Sequence, residues 1–261
     1  HEPGRFAAFR HGSFVLYFLA RVFTTFGAQI LSVAVIWHIY TITKSALYTG
    51  LVGLVQFLPL ALLVLVTGTA ADQFGRRMIM GLSIILAGAC AAAMAIFTGL
   101  GMITAVLMLS ILVVFGVARA FLGPASSSLV VSLVPNKDFA NAVTWNSSAW
   151  QAATIGGPAA GGLLLGLGER PFTNWLADMG QPQIAGIFDG HGPEIAYTIA
   201  CIFMILGAAL VFAIPKPPPS PPRERPTLSN MLEGFRFIWK QKIILGAISL
   251  DLFAVLLGGV I

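Results

Sequence analysis

The chain consists of long apolar runs separated by mostly short polar segments. A helix needs about 20 apolar residues to cross the hydrocarbon core of a bilayer. Runs of about that length occur at Phe14–Ile39, Leu47–Ala71, Met78–Phe97, Met102–Val131, Phe139–Leu167, Ile195–Ile214 and Ile243–Ile261. The runs do not alternate apolar and polar residues as barrel strands do. Because backbone polar groups cannot stay unpaired in lipid, we predict that each run is a spanning helix.

Composition supports an all-α, polytopic membrane helix bundle. Hydrophobic residues make up 57% of the 261 residues and charged residues only 10%, whereas a soluble domain carries about 25% charged residues. Cys90 and Cys201 both lie inside apolar runs, where buried thiols act as packing groups. The formal net charge of +5 comes from Lys and Arg between the runs, so we expect no nucleic-acid partner.

Most basic residues lie in connections on one side of the predicted membrane. These are Arg5, Arg10, Arg76, Arg77, Lys137, Lys216, Arg223, Arg225, Arg236, Lys240 and Lys242. Connections on the other side hold only Lys44 and Arg170. Since cytoplasmic connections carry the excess of Lys and Arg, we predict a multi-pass protein of the bacterial cytoplasmic (inner) membrane with a cytoplasmic N-terminus.

The runs and connections predict three parts. Residues 1–215 form a six-span bundle, 216–242 a cytoplasmic Pro-rich linker with an amphipathic helix, and 243–261 the start of a seventh span. A long outer connection covers residues 168–194. Its Asp-Gly-His-Gly stretch at 189–192 has too few regularly spaced ligands for a metal, so we interpret it as a turn and predict no metal site.

A first chemical signature lies between the second and third runs. It consists of Gly68, Asp72, Gly75, Arg76 and Arg77. Glycines permit a tight turn and close helix approach, and an acid such as Asp72 is costly at a membrane edge unless it is paired. The plainer interpretation is a turn followed by ordinary cytoplasmic arginines.

A second signature lies in the fifth run, at Gly157, Pro158, Gly161 and Gly162. Pro158 removes a helical hydrogen bond and bends the helix. Gly157 and Gly161 form a small-xxx-small face that lets another helix approach closely. General close packing is the plainer interpretation.

Two arginines lie inside apolar runs. An Arg at the centre of a spanning helix costs about 2.5–3.5 kcal/mol on insertion scales, so it must face a polar interior or a partner. Arg119 lies about 25 Å from the outer end of the fourth run, at about 1.5 Å per residue. Arg21 lies only about 10 Å into the first run. For both, extension of the side chain to the inner surface is the alternative.

Further polar residues in the runs are candidates for substrate contact or coupling. Gln29 follows Arg21 in the first run, and Asn146 and Gln151 lie in a polar-aromatic stretch of the fifth. Such groups either bond to neighbouring helices or line a cavity. Asp251 is an acid in the otherwise apolar seventh run, which makes it a functional candidate by default.

These segments, in this order, resemble the signatures of the major facilitator superfamily. The loop motif and the Gly-Pro-x-x-Gly-Gly motif match, and Arg119 with Gly123 is similar to the fourth-helix Arg-x-x-x-Gly pattern. Gln73 replaces the usual basic residue of the loop motif, and Leu122 replaces the usual Gln. The amino-acid sequence of residues 123–143 is similar to that of the bacterial branch of the superfamily that contains the enterobactin exporter and macrolide-efflux proteins.

The resemblance implies a fold and roles for these residues. The six spans would be the N-terminal half of a two-bundle transporter, built from inverted three-helix repeats. The loop motif would form a gate between the two halves of the transporter through Asp72, Arg76 and Arg77. Its partner helix would lie in the missing C-terminal bundle. Arg119 would take part in proton coupling, and the glycine motif of the fifth span is commoner in exporters.

We therefore expect a secondary active transporter rather than an enzyme. The expected activity is proton-coupled efflux of small amphipathic organic compounds of the drug or siderophore type, by alternating access. The proton gradient would supply the energy, with no cofactor, and the bilayer and the second bundle would be its partners. The alternatives are an importer of a metabolite or lipid on the same fold, or a transport-dead membrane scaffold if the chain is complete as given.

Overall fold

The computed structural model of the protein describes residues 6–215, apart from the side chains of 64–66, 68–74, 170, 184, 185 and 187. A short 3₁₀ turn, Ala8–Arg10, precedes the α-helices of this part of the chain. These are α1 Gly12–Thr43, α2 Ala46–Phe74, α3 Arg76–Gly99, α4 Ala105–Leu133, α5 Asn136–Gly166, α6 Arg170–Asp178, α7 Pro182–Phe188 and α8 Gly192–Ala213. No strand occurs within 6–215, so the predicted all-α fold is confirmed.

Helices α1, α2, α3, α4, α5 and α8 correspond to the first six predicted runs, with ends within a few residues of the prediction. Among the described helices, α1, α2, α3, α4 and α8 are long and apolar enough to cross a membrane. Helix α5, with 31 residues, is also long enough to cross a membrane. It is less apolar than the others, because its first half contains many polar residues. We refer to the end predicted to be cytoplasmic as the inner end.

The packing of the long helices has an internal two-fold pattern. Helix α1 packs on α5 and α8, as α4 packs on α2 and α3, and α3 also packs on α8. Exchanging α1, α2 and α3 with α4, α5 and α8 leaves this set of neighbours unchanged. Because α1 runs outward and α4 inward in the predicted topology, the two triplets have the relationship expected of an inverted repeat.

Close approach of α1 and α8 depends on glycine. A Cβ at Gly27 would lie 3.0 Å from the Ala200 carbonyl oxygen, and a Cβ at Gly207 would lie 3.2 Å from the Ala20 carbonyl oxygen. Small residues at helix crossings let backbones pack directly in a membrane, where burial from water does not drive association. This contact fixes one face of α1 against α8 and leaves its opposite face for other neighbours.

The outer connection contains two short helices, which the hydropathy pattern did not predict. Helices α6 and α7 pack on each other, and the Phe172 ring contacts the rings of Trp175 and Phe188. The base of the connection is closed by a 2.9 Å hydrogen bond from the Gly190 N–H to the Gly168 carbonyl. Both helices are far shorter than a span, so a search for runs of about 20 apolar residues passes over them.

Candidate functional site

One face of α1 is polar and partly open. Its residues follow the helical spacing i, i+4, i+8 and i+11, and all are half-buried: Arg21, Thr25, Gln29 and Ser32. The opposite face packs on α8 and is buried: Ala20, Thr24, Gly27, Leu31 and Ala34. The half-buried residues, which we call the α1 polar face, therefore lie on the side of the helix turned away from α8.

Arg119 of α4 is exposed in the middle of its helix. Leu112, Phe115 and Ser126 lie on the same face of α4 and are buried, whereas Arg119 and Gly123 between them are exposed, so this face of α4 is open around Arg119. An Nη1 N–H of Arg119 donates to Gln56 Oε1 of α2 at 3.2 Å. Gln56 in turn donates from Nε2 to the Val52 carbonyl at 3.2 Å, and this bond orients its oxygen toward the arginine.

Gln56 is a site residue that the sequence motifs did not single out. Gln56 lies on α2 and Arg119 on α4, and the two residues meet only because α2 packs on α4. Their spacing in the sequence does not indicate this contact. A Cβ at Gly116 would lie 2.7 Å from the Gln56 carbonyl oxygen, so glycine is needed for this close approach. The described partner of Arg119 is therefore a neutral amide rather than an acid.

A buried hydrogen bond places the two arginines at similar depths. The Tyr17 hydroxyl of α1 lies 2.8 Å from Ser126 Oγ of α4, and both residues are buried. Arg21 is one turn, about 6 Å, outward of Tyr17, and Arg119 is two turns, about 10 Å, outward of Ser126. The two cations therefore lie about 4–5 Å apart in depth, on adjacent helices.

Two buried side-chain atoms in the described part of the chain have no hydrogen-bond partner: Arg21 Nε and Asn146 Oδ1. Asn146 lies on the face of α5 that packs on α1, in line with the buried Ala142 and Ala153. Gln151 is exposed, because five residues rotate it by about 140° around the helix. The structure therefore places Asn146 with α1 and Gln151 on another side of α5.

The glycine motif of α5 packs on α1 along the edge of the α1 polar face, where Gln29 is the shared residue. A Cβ at Gly157 would overlap the Gln29 side chain, and one at Gly161 would lie 3.3 Å from Val33 Cβ. No atom lies within 4 Å of a Cβ built at Gly162, and Pro158 is half-buried. Two of the motif's glycines thus form a helix crossing inside this bundle, while Gly162 points to open space.

The arginines of the loop motif bind the inner ends of other helices. Arg76 Nη1 donates to the Ser128 carbonyl of α4 at 3.0 Å. Arg77 Nε donates to the Val211 carbonyl at 3.2 Å, and its Nη2 donates to the Phe212 carbonyl. These are among the last carbonyls of α8, which have no partner within the helix and lie at the negative end of its dipole.

The remaining loop-motif residues lie at the α2–α3 junction. Gly75 separates the two helices with a φ of +86°, a backbone conformation that glycine adopts without steric cost. Gly68 and Asp72 lie in the last turns of α2, and their side chains are outside the described set. Asp251, the linker 216–242 and the seventh run lie outside the described residues altogether.

Other buried polar contacts hold helix ends together. His11 Nε2 lies 3.0 Å from Asp138 Oδ2 at the start of α5, and His38 Nδ1 lies 3.1 Å from the Tyr197 hydroxyl between α1 and α8. Within the described residues, no group of three His, Cys, Asp or Glu side chains is placed to hold a metal ion.

Known proteins share sequence similarity with this chain. A family model described as a transmembrane secretion effector of the major facilitator type matches residues 3–179. The multidrug efflux pump Tap of Mycobacterium tuberculosis (strain H37Rv) is 29% identical over 257 residues, which cover 94% of this chain and 56% of that protein.

Tap of Mycolicibacterium fortuitum is 25% identical over 253 residues, with the same coverage. The chain thus spans about half the length of the curated relatives it matches. No solved structure matches it at a significant level. Because the family model covers most of the chain and the helices pack as an inverted repeat, this multi-pass membrane protein belongs to the transmembrane secretion effector family of the major facilitator superfamily.

Proposed function

We propose that the chain is the N-terminal bundle of an exporter of small organic compounds that is driven by proton entry. A second bundle, of which Asp251 and the seventh run are the beginning, completes the transporter. The complete protein lies in the cytoplasmic membrane with its N-terminus inside, needs no cofactor, and alternates access to a site between the bundles. The similarity to efflux pumps named Tap supports export over import.

The observation that carries the proposal is the opening at Arg119. An exposed cation in the middle of an apolar helix is costly in lipid, yet it is reasonable where the side chain faces a water-filled route. Its described partner is the neutral Gln56, which carries no charge to offset that of the guanidinium. The α1 polar face lies at a similar depth and gives the same route hydrogen-bonding groups.

Arg119 would couple transport to protons through an acid. A fixed positive charge stabilises a carboxylate that comes close to it, and protonation of that carboxylate releases the pair. In the bundle interior covered by residues 6–215 no acid stands in the middle of a span, so we propose that the acid comes from the second bundle, with Asp251 as the first candidate. Release of the pair would then allow the bundles to rock.

Arg119→Ala tests this proposal in the complete transporter. Substrate accumulation in everted vesicles with an imposed pH gradient should fall tenfold or more. The reason is that removal of a charged hydrogen-bond partner costs about 1.5–3 kcal/mol. Lys should restore it only in part, because it lacks the planar fork of Arg. Membrane abundance, measured by immunoblot, should be unchanged.

Gln56→Leu is the companion variant, because it leaves the charge in place and removes the group that orients it. We expect an intermediate loss of transport. If Arg119→Ala accumulates substrate at the wild-type rate, Arg119 has no part in coupling and extension toward the inner surface explains its position. If the wild-type protein raises the cellular content of the compound when energised, the protein is an importer.

A further inference from the structure

We infer that Arg21 is the recognition residue for an anionic group, so that the exported compounds are organic anions. This inference rests on the proposed export function and names its substrate class. Arg21 lies nine residues, about 14 Å, into α1 from Gly12. That depth is inside the hydrocarbon region, where a charge requires a partner or water.

The Nε atom of Arg21 has no hydrogen-bond partner among the described residues. The side chain is half-buried on the α1 polar face, and the Nε atom itself is buried. A buried group without a partner loses its hydration and gains nothing in return, which costs more for a charged group than for a neutral one. An unsatisfied atom of this kind indicates a ligand, an ion or water that completes the site.

The acids of residues 6–215 all lie at helix ends or in the outer connection. They are Asp72, Asp138, Glu169, Asp178, Asp189 and Glu194. Of these, Asp138 is already paired with His11 at the inner end, and Glu194 lies at the outer end of α8, 3.8 Å from His191. Arg21 and Arg119 are therefore the charged residues in the middle of the described spans, and no described span carries a carboxylate there.

Cations in the middle of the spans, with no acid at that depth, favour an anion as the ligand. A guanidinium donates two parallel N–H bonds to a carboxylate or a similar oxyanion. A lipophilic cation would instead meet like charge at low dielectric, where repulsion is strong. Arg119 is bonded to Gln56, whereas the Arg21 Nε has no hydrogen bond among the described residues, so Arg21 is the better candidate to bind the substrate's anionic group.

The test compares an anionic and a cationic probe in everted vesicles of the complete transporter. Carboxyfluorescein is the organic anion, ethidium the permanent cation, and Nile red a neutral lipophilic control. We expect the wild-type protein to accumulate carboxyfluorescein in preference to ethidium. Arg21→Gln should raise the KM for carboxyfluorescein at least about tenfold with a smaller change in kcat, and Arg21→Lys should recover part of this loss.

Thr41→Ala is the control, because Thr41 is an uncharged, exposed residue near the other end of α1 and lies outside the α1 polar face. It should leave the KM for carboxyfluorescein within about twofold, since its loss removes no charge. A wild-type protein that accumulates ethidium but not carboxyfluorescein would overturn the inference and leave export intact. If Arg21→Gln slows the transport of every probe equally, Arg21 does not recognise the anion. It would then have a structural role or pair with an acid of the second bundle. If the wild-type protein accumulates none of the three probes, the export function itself fails.

Discussion

At the scale of single residues, the loop-motif arginines have a role that the motif alone did not indicate. The sequence predicted their position at the inner surface, and the resemblance implied a gating role with a partner in the second bundle. The described partners are carbonyls of α4 and α8 in the same bundle. Which carbonyls an arginine reaches depends on how the helices pack, so this part of the site could not be predicted from spacing.

Arg77→Gln should lower the stability of the bundle. The substitution removes charged hydrogen bonds to the last carbonyls of α8 and the favourable interaction with its dipole, worth about 1–2 kcal/mol together. We expect a melting temperature lower by roughly 2–8 °C for a bundle of this size, measured on the purified chain in detergent. Arg10→Gln is the control, because Arg10 is exposed at the inner surface. Equal melting temperatures for the two variants would show that the Arg77 bonds contribute nothing.

At the scale of helices, hydropathy was enough to place the six long helices, because lipid requires long apolar runs to be helical. It did not reveal α6 and α7, which are too short to be recognised by such runs. It also could not show which helix the glycines of α5 touch. In the structure Gly157 and Gly161 contact α1, whereas Gly162 contacts none of the other described helices. The motif alone does not distinguish these three glycines.

Gly161→Leu and Gly162→Leu form a matched pair that tests the α1–α5 crossing. A Cβ at Gly161 would lie 3.4 Å from Ile30 Cα and 3.3 Å from Val33 Cβ, so the larger Leu must push the helices apart. Overpacking of this kind costs about 1–3 kcal/mol or more. We expect Gly161→Leu to lower the melting temperature and abolish transport in the complete protein.

Gly162→Leu should retain both stability and transport, because open space surrounds that position. Thermal unfolding in detergent and efflux at equal membrane abundance measure the two effects. Equal effects of the two substitutions would mean that the crossing at Gly161 is not as close as the structure has it.

At the scale of the whole molecule, the sequence predicted the architecture well because each span carries its own hydrophobic signal. The chain covers about half the length of its curated relatives, so under the proposed function it would supply one wall of a route between two bundles. That wall combines the α1 polar face with the opening at Arg119. Its depth and its exposure come from packing, and hydropathy could indicate only that polar residues were present.

The predicted topology places the outer connection and the α4–α5 connection on opposite sides of the membrane. In a variant with Cys90 and Cys201 replaced by Ser, single cysteines at Gln181 and Lys137 report on the two sides, and both positions are exposed. On spheroplasts, an impermeant maleimide should label the cysteine at 181 at once and the cysteine at 137 only after permeabilisation. The reverse pattern would show that the topology is opposite to the predicted one and that the distribution of Lys and Arg does not indicate the cytoplasmic side here.

The measurement that tests the central claim most directly is the accessibility of the α1 polar face. In the cysteine-free complete transporter, a cysteine at Thr25 should react with a charged, water-soluble methanethiosulfonate reagent, and an excess of transported anion should slow the reaction. A cysteine at Ile205, exposed on α8 and expected to face lipid, serves as the control and should not react. A Thr25 cysteine that is as inert as the one at Ile205, or that substrate does not protect, would contradict a transport route along this face.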